Sequence, residues 1–175
     1  GLVTPGKELR GRASCESCHG LRPHGLDIQI DGHVGKVACQ TCHIPTFSRK
    51  IATKMMWDWS TAGQKKPNGK PIVKKDDGGN VIYHTKKGDF IWEKEVVPDF
   101  VWFNGEAEFT TLETKIDASG TVPINRLSGE YKDPKSRIWP VKRFVGKQPY
   151  DSVNNTFVVP HLFGKDKEAY WKSYD

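Results

Sequence analysis

The residues of this chain best equipped for chemistry fall in two short runs, Cys15–His19 and Cys39–His43, each reading C-x-x-C-H. Two thiols three positions apart on one helical turn can each add to a vinyl group of one porphyrin. The imidazole that follows then lies under the ring and coordinates the iron as proximal ligand. All four cysteines of the chain are used in this way, Cys15 and Cys18 with His19, Cys39 and Cys42 with His43. The spacing therefore points to two covalent haems of the c type.

Three other chemistries use paired cysteines. A thioredoxin-like redox disulfide needs a βαβ context that Ala13-Ser14 and Val37-Ala38 do not supply. Zinc can be held by four thiolates or by two thiolates and two imidazoles, and the gap from Cys18 to Cys39 is close to zinc-ribbon spacing. Structural disulfides suit an exported protein. None of the three explains why His follows the second cysteine directly in both runs.

A haem iron with only a proximal ligand is open to substrate, whereas a second protein ligand suits it to electron transfer. Four further histidines could serve: His24, His33, His84 and His161. His24 and His33 lie among Gly and Pro residues, which let backbone approach a porphyrin closely, and His33 stands six residues before Cys39. His161 is a polar residue in the otherwise apolar Val158–Phe163, where a buried imidazole needs a partner. His84, beside Lys86 and Lys87, reads as solvent-facing and is the weakest of the four. Met55 and Met56 adjoin Trp57 and Trp59 and read as packing. Four histidines exceed the two distal sites of two haems, so the surplus points to iron carried by a neighbouring chain or domain.

Composition fits a cofactor-filled interior. Of 175 residues, 36% are hydrophobic and 27% charged, with a mean hydropathy of −0.62, a lean supply for a core of side chains. The formal charge of +6 falls to roughly +4 once two ferric haems, each about −1, are counted. The lysines are scattered in short runs, Lys65-Lys66, Lys74-Lys75 and Lys86-Lys87, which reads as solvated loops and gives no phosphate-binding stripe; no nucleic-acid partner is expected. No apolar run is long enough to span a bilayer. Thioether attachment of haem normally takes place outside the cytoplasm, so a periplasmic or extracellular protein is expected, its leader removed or lying upstream of Gly1. The aromatic-rich Tyr170–Asp175 suggests a polypeptide that continues past Asp175.

Stepping from these residues to what must position them, residues 1–47 read as a dihaem unit: an extended lead-in over 1–12, then short helical turns at each motif, the second (His33 to His43) of better helical composition. Residues 48–175 read as a loop-rich extension. Lys54 to Trp59 suggests a helical turn and Thr61–Lys70 a loop. Residues 71–75 and 81–85 flank Asp76–Asn80 as a hairpin. A second hairpin is expected from Asp99–Phe103, the turn pair Asn104-Gly105 and Glu106–Leu112. Five prolines between 113 and 160 predict irregular chain, and Asp166 can cap a short C-terminal helix carrying Ala169, Tyr170 and Trp171. The fold class expected is a multihaem cytochrome c, mostly irregular, with a few short helices, one or two β-hairpins and haems forming the core.

The run Val37–Pro45, preceded by His33 and by Pro23-His24, resembles the last haem-binding region of the octahaem tetrathionate reductase family of c-type cytochromes. Lys54–Gly63, Val122–Arg126, Arg137–Pro140, Gly146–Tyr150 and Val159–Gly164 are similar as well, so the likeness covers most of residues 13–174. It implies a periplasmic or extracellular protein with eight, mostly bis-histidine, haems, one of which carries a lysine ligand and reduces tetrathionate, nitrite or hydroxylamine. This chain departs from that pattern with two motifs in place of eight, both ending in His. What carries over is electron relay, with no catalytic residue in this chain. The alternatives are the electron-entry portion of a reductase whose catalytic haem lies elsewhere, or a structural module of an extracellular cytochrome assembly. The expected partners are other haem-bearing chains or domains and a redox protein donor and acceptor. Residues 48–175, with Trp92, Trp102, Trp139 and Trp171 left near the surface, would wrap such a neighbour, and His161 or His24 would reach its iron.

Overall fold

The computed structural model describes residues 15–25 and 27–173; the lead-in expected over 1–12 and the extreme C-terminus lie outside them. Three short helices come first, α1 (Glu16–His19), α2 (Ile28–His33) and α3 (Cys39–His43). Eleven short strands follow: β1 (Thr53–Asp58), β2 (Val73–Lys75), β3 (Val81–His84), β4 (Gly88–Glu93), β5 (Asp99–Phe103), β6 (Ala107–Phe109), β7 (Asn125–Leu127), β8 (Arg137–Val141), β9 (Val145–Lys147), β10 (Tyr150–Asp151) and β11 (Thr156–Phe157). A last helix, α4, spans Tyr170–Ser173. The few short helices and much irregular chain agree with the expectation from sequence, whereas eleven strands in four sheets exceed the one or two hairpins expected.

The chain divides into two compact units, and each draws on separated stretches of sequence. The first comprises residues 1–47, 97–111 and 123–142; the second comprises 48–96, 112–122 and 143–175. The unit changes between Phe47 and Ser48, and residues 97–111 and 123–142 belong with the motif-bearing segment.

In the first unit, β5 pairs antiparallel with β8, and β6 with β7. The hairpin expected across Asn104-Gly105 therefore does not form. A two-residue hairpin turn of that type needs φ above zero at both positions. Gly105 has φ 97°, but Asn104 is not among the residues with positive φ. Asn104 instead donates its backbone N–H to Ser128 O and accepts the Glu106 N–H at its side chain. Gly129 makes the close crossing possible, since a Cβ there would lie 2.8 Å from the backbone of Trp102 and Phe103. Among the described residues of the unit, the buried apolar ones are Ala38 and Ala107.

The second unit is built on a five-stranded sheet of order β2-β3-β4-β1-β9. The hairpin expected around Asp76–Asn80 is present as β2 and β3; Asp76 accepts the Asn80 backbone N–H and its side-chain amide, which closes the turn. Lys54–Asp58 is strand rather than helical turn, and only Trp59 belongs to a short 3-10 turn, Trp59–Thr61. β1 pairs antiparallel with β4 on one side and parallel with β9 on the other, and this tertiary pairing outweighs local preference. The residues after 113 also hold more strand than the prolines suggest, in β7 to β11. Gly88, with φ 82°, opens β4 where any Cβ would fall 2.0 Å from Asp58 O. Tyr83, Phe90, Val96 and Ala169 are buried in this unit. Lys54 Nζ lies 4.1 Å from the Phe90 ring centroid and 5.0 and 5.1 Å from those of Trp57 and Trp92. Burial there, and then Lys87, hold its ammonium below the usual lysine value.

The four tryptophans expected near the surface are half-buried inside the units. Trp102 meets Tyr131 edge-on at 5.6 Å, and Trp139 meets Phe103 at 6.1 Å. Trp92 donates its indole N–H to Val81 O, and Trp171 lies under Lys87. Short strands give each ring a neighbouring strand to lie against, so fewer large aromatics are left over than a loop-only extension would leave.

Candidate haem-binding site

Both motifs fold as single helical turns, which is what two thiols and an imidazole need in order to meet one ring. In α1 the His19 N–H bonds back to Cys15 O at 2.9 Å, and Arg137 Nη1 donates to Glu16 Oε1 at 2.7 Å, which ties the turn to β8. In α3 the tie is stronger. Ala38 N–H donates to Ile138 O, Thr41 Oγ1 donates to the same oxygen at 2.7 Å, and Ile138 N–H returns to Lys36 O. Lys36 Nζ reaches Tyr131 O and Asp133 O. The strand β8, about a hundred residues along the chain, thus braces both motifs.

The four cysteines form no disulfides with one another. Burial, then the nearby Glu16 and Cys15, push the Cys39 thiol above the usual value. Among the described residues no three His, Cys, Asp or Glu side chains converge as a metal cluster, which is not the arrangement that the zinc alternative requires.

The histidines differ in surroundings. His24 and His43 face each other with ring centroids 6.2 Å apart and planes 15° from parallel. Two imidazoles bound to one iron at about 2 Å each would have centroids roughly 6 Å apart, a spacing that this pair shares. His24 Nδ1 lies 3.1 Å from Asp31 Oδ1, and its backbone N–H bonds the same oxygen at 3.2 Å. A carboxylate on Nδ1 fixes the ring and leaves Nε2 as the coordinating nitrogen. Asp31 is held by α2, whose Asp27 caps the helix by accepting the Ile30 N–H. His33 ends α2 and is exposed. His84 accepts the Lys86 N–H at Nδ1, so its neutral ring carries the proton on Nε2, a donor and not a ligand arrangement; burial, then Lys87 and Lys86, lower its pKa. His161 Nε2 is paired with both carboxylate oxygens of Asp166 at 3.0 Å, and that hydrogen bond leads the causes that hold Asp166 below the usual carboxylate value.

Apolar side chains around the motifs complete the picture. Leu21, Ile28, Ile30 and Ile44 are all exposed, Leu21 to 84% and Ile28 to 85%. Leu21 and Ile44 follow the motif helices α1 and α3, and Ile28 and Ile30 lie on α2 between them, positions that suit contact with the faces of a porphyrin. Sequence reasoning singled out the histidines but not Asp31 or β8; a carboxylate seven residues after a histidine carries no signal until α2 turns it back.

A family model for bacterial cytochrome c matches residues 54–175. The chain belongs to the bacterial cytochrome c family. Among solved structures, this cytochrome is similar to the octahaem cytochrome c of Shewanella oneidensis, with 40% identity and a TM-score of 0.83 over 94% of this chain. The chain spans 36% of that structure's length. A comparison with curated proteins returned no match. Family membership brings covalent haem c and haem-based electron transfer, and the resemblance to octahaem cytochromes read from residues 13–174 holds. No helix among the described residues is long and apolar enough to cross a membrane.

Proposed function

We propose that this cytochrome carries two covalent haems, at Cys15/Cys18/His19 and Cys39/Cys42/His43, and relays electrons between them as part of a larger multihaem assembly outside the cytoplasm. The observation that carries the reading is the His24–His43 couple at 6.2 Å with Asp31 on His24 Nδ1. We assign His24 as distal ligand of the second haem; His33 is the remaining imidazole of that segment for the iron under His19. A haem so held supplies reversible one-electron chemistry. The protein's own contribution is to close both axial positions, orient the distal ring through Asp31 and surround the ring edge with apolar side chains, which sets potential and excludes substrate from the iron. The likeness of the chain to about a third of an octahaem cytochrome supports an assembly in which other haem-bearing chains or domains act as neighbours, with a redox protein as donor and acceptor.

Haem content by alkaline pyridine assay, set against intact mass, should give two per chain. His24→Ala should open one haem, giving a high-spin ferric band and carbon monoxide binding in the ferrous state. A parent protein that already shows an open haem, or a variant with both haems still low-spin, would refute the assignment.

A further inference from the structure

Among the described residues, one imidazole of the motif-bearing segment carries a carboxylate on its ring. Asp31 Oδ1 lies 3.1 Å from His24 Nδ1 and accepts the His24 backbone N–H at 3.2 Å, so a single oxygen fixes the ring against its own backbone. Asp31 is held in turn by α2, where its N–H bonds to Asp27 O at 3.0 Å. Its side chain is only 9% exposed, so the carboxylate is shielded from much of the water that would screen it. Among the described residues His19, His33 and His43 form no such pair with an acid. With His24 and His43 on the second iron and His19 and His33 on the first, the asymmetry falls between the two haems.

The sign of its effect follows from charge. An imidazole that donates Nδ1–H to a carboxylate gains electron density at Nε2 and becomes a more basic ligand. Ferric iron, with one more positive charge than ferrous iron, gains more from such a ligand. The oxidised form is therefore favoured and the potential falls. The negative charge of Asp31 itself acts in the same direction.

We propose that Asp31 is a positioning residue that makes the haem at Cys39/Cys42/His43 the lower-potential member of the pair, so that electrons pass downhill from it to the haem at Cys15/Cys18/His19. The inference rests on the assignment of His24 as distal ligand and adds to it the order of the two potentials. In the transfer one electron leaves the iron under His43, which is oxidised, and reaches the iron under His19, which is reduced. No bond forms or breaks, and the proton on His24 Nδ1 stays where Asp31 holds it.

The test is a potentiometric titration of the haem-loaded protein at one fixed pH, followed by Soret absorbance and electron paramagnetic resonance. Two one-electron steps are expected. Asp31→Asn keeps the shape of the side chain and removes its charge. It should raise the lower step, changing the ferric-to-ferrous ratio of that haem about tenfold at a given potential, or roughly 59 mV for a one-electron couple. The upper step should stay, both haems should remain low-spin, and Asp31→Glu should keep the lower step near that of the parent. The step that moves must belong to the haem that opens in His24→Ala. Low-spin haems in Asp31→Asn with neither step moved, or with the upper step moved instead, would overturn the role of Asp31 and leave the His24 ligation standing. His24→Ala with both haems still low-spin would remove the ligand assignment, and the proposal with it. Should Asp31→Asn not fold, Cys39→Ala with Cys42→Ala gives the order directly: its remaining haem should titrate at the upper step, and a remaining haem at the lower step would overturn the proposal.

Discussion

The two units of this cytochrome solve the problem of an interior in opposite ways. In the second, a five-stranded sheet buries Tyr83, Phe90 and Val96, so side chains supply the apolar volume. In the first, the buried apolar side chains among the described residues are Ala38 and Ala107, while Leu21, Ile28, Ile30 and Ile44 stand exposed around the motifs. Alanines let elements approach but contribute little transfer free energy, since burial is worth roughly 25 cal/mol per Å². On the proposed reading, a unit that holds large planar cofactors needs anchoring bonds more than a core of its own. Those bonds are visible where β8 ties down α1 and α3 through Glu16, Ala38 and Thr41.

The strongest way to break this contrast is to remove a cofactor. Cys39→Ala with Cys42→Ala should drop haem content by one per chain. Hydrogen exchange should then show amides of α2, α3 and β8 losing protection while β1, β3 and β4 keep theirs. Equal loss in both units would mean that the first unit does not depend on its haems as argued.

Next in size is Phe90→Ala, which should cost about 3–4 kcal/mol in denaturant unfolding of the second unit, the range for emptying a buried aromatic site. The Soret spectrum should stay as in the parent, and a shifted Soret band would show the two units to be coupled. A smaller effect is expected in the first unit from Thr41→Val. It keeps shape but removes the hydroxyl donor to Ile138 O, at about 1 kcal/mol, read as faster exchange at the Ile138 amide.

The smallest effect is electrostatic. Asp58 accepts hydrogen bonds from Ser60 and faces Lys147 at 3.2 Å. The Ser60 hydroxyl first, and Lys147 with it, hold its carboxyl below the usual value of 3.8. A depressed folded-state value means that the stabilisation is present above the unfolded value and is lost as pH falls below it. Asp58→Asn should therefore lower stability by less than about 1 kcal/mol at neutral pH, because Lys147 is largely solvent-screened. The gap to the parent should close as the medium is acidified past 3.8. Unfolding curves of the two proteins at neutral and acid pH give the comparison, and an unchanged gap at acid pH would remove Asp58 as the cause.

Local chemistry was legible in the sequence. Cys-x-x-Cys-His needs only one helical turn to place two thiols and an imidazole, so Cys15–His19 and Cys39–His43 could be read without knowing any distant contact. The β2–β3 hairpin was legible for the same reason, since Asp76–Asn80 closes its own turn. What required long-range pairing was not legible. β1 is a strand because β4 and β9 flank it, and Asp99–Phe103 pairs with β8 because Asn104 does not adopt the left-handed backbone that a tight hairpin needs. The tryptophans are half-buried because those pairings give them neighbours. The histidines show the same division. Sequence marked His24, His33, His84 and His161 as able to bind iron, a property of imidazole itself. Only tertiary structure set His24 opposite His43 and placed Asp31 on its far nitrogen, and only it turned His161 to Asp166 and His84 to the Lys86 amide. Residue type sets what a side chain can bind, while the direction in which its lone pair points depends on contacts between segments far apart in the chain.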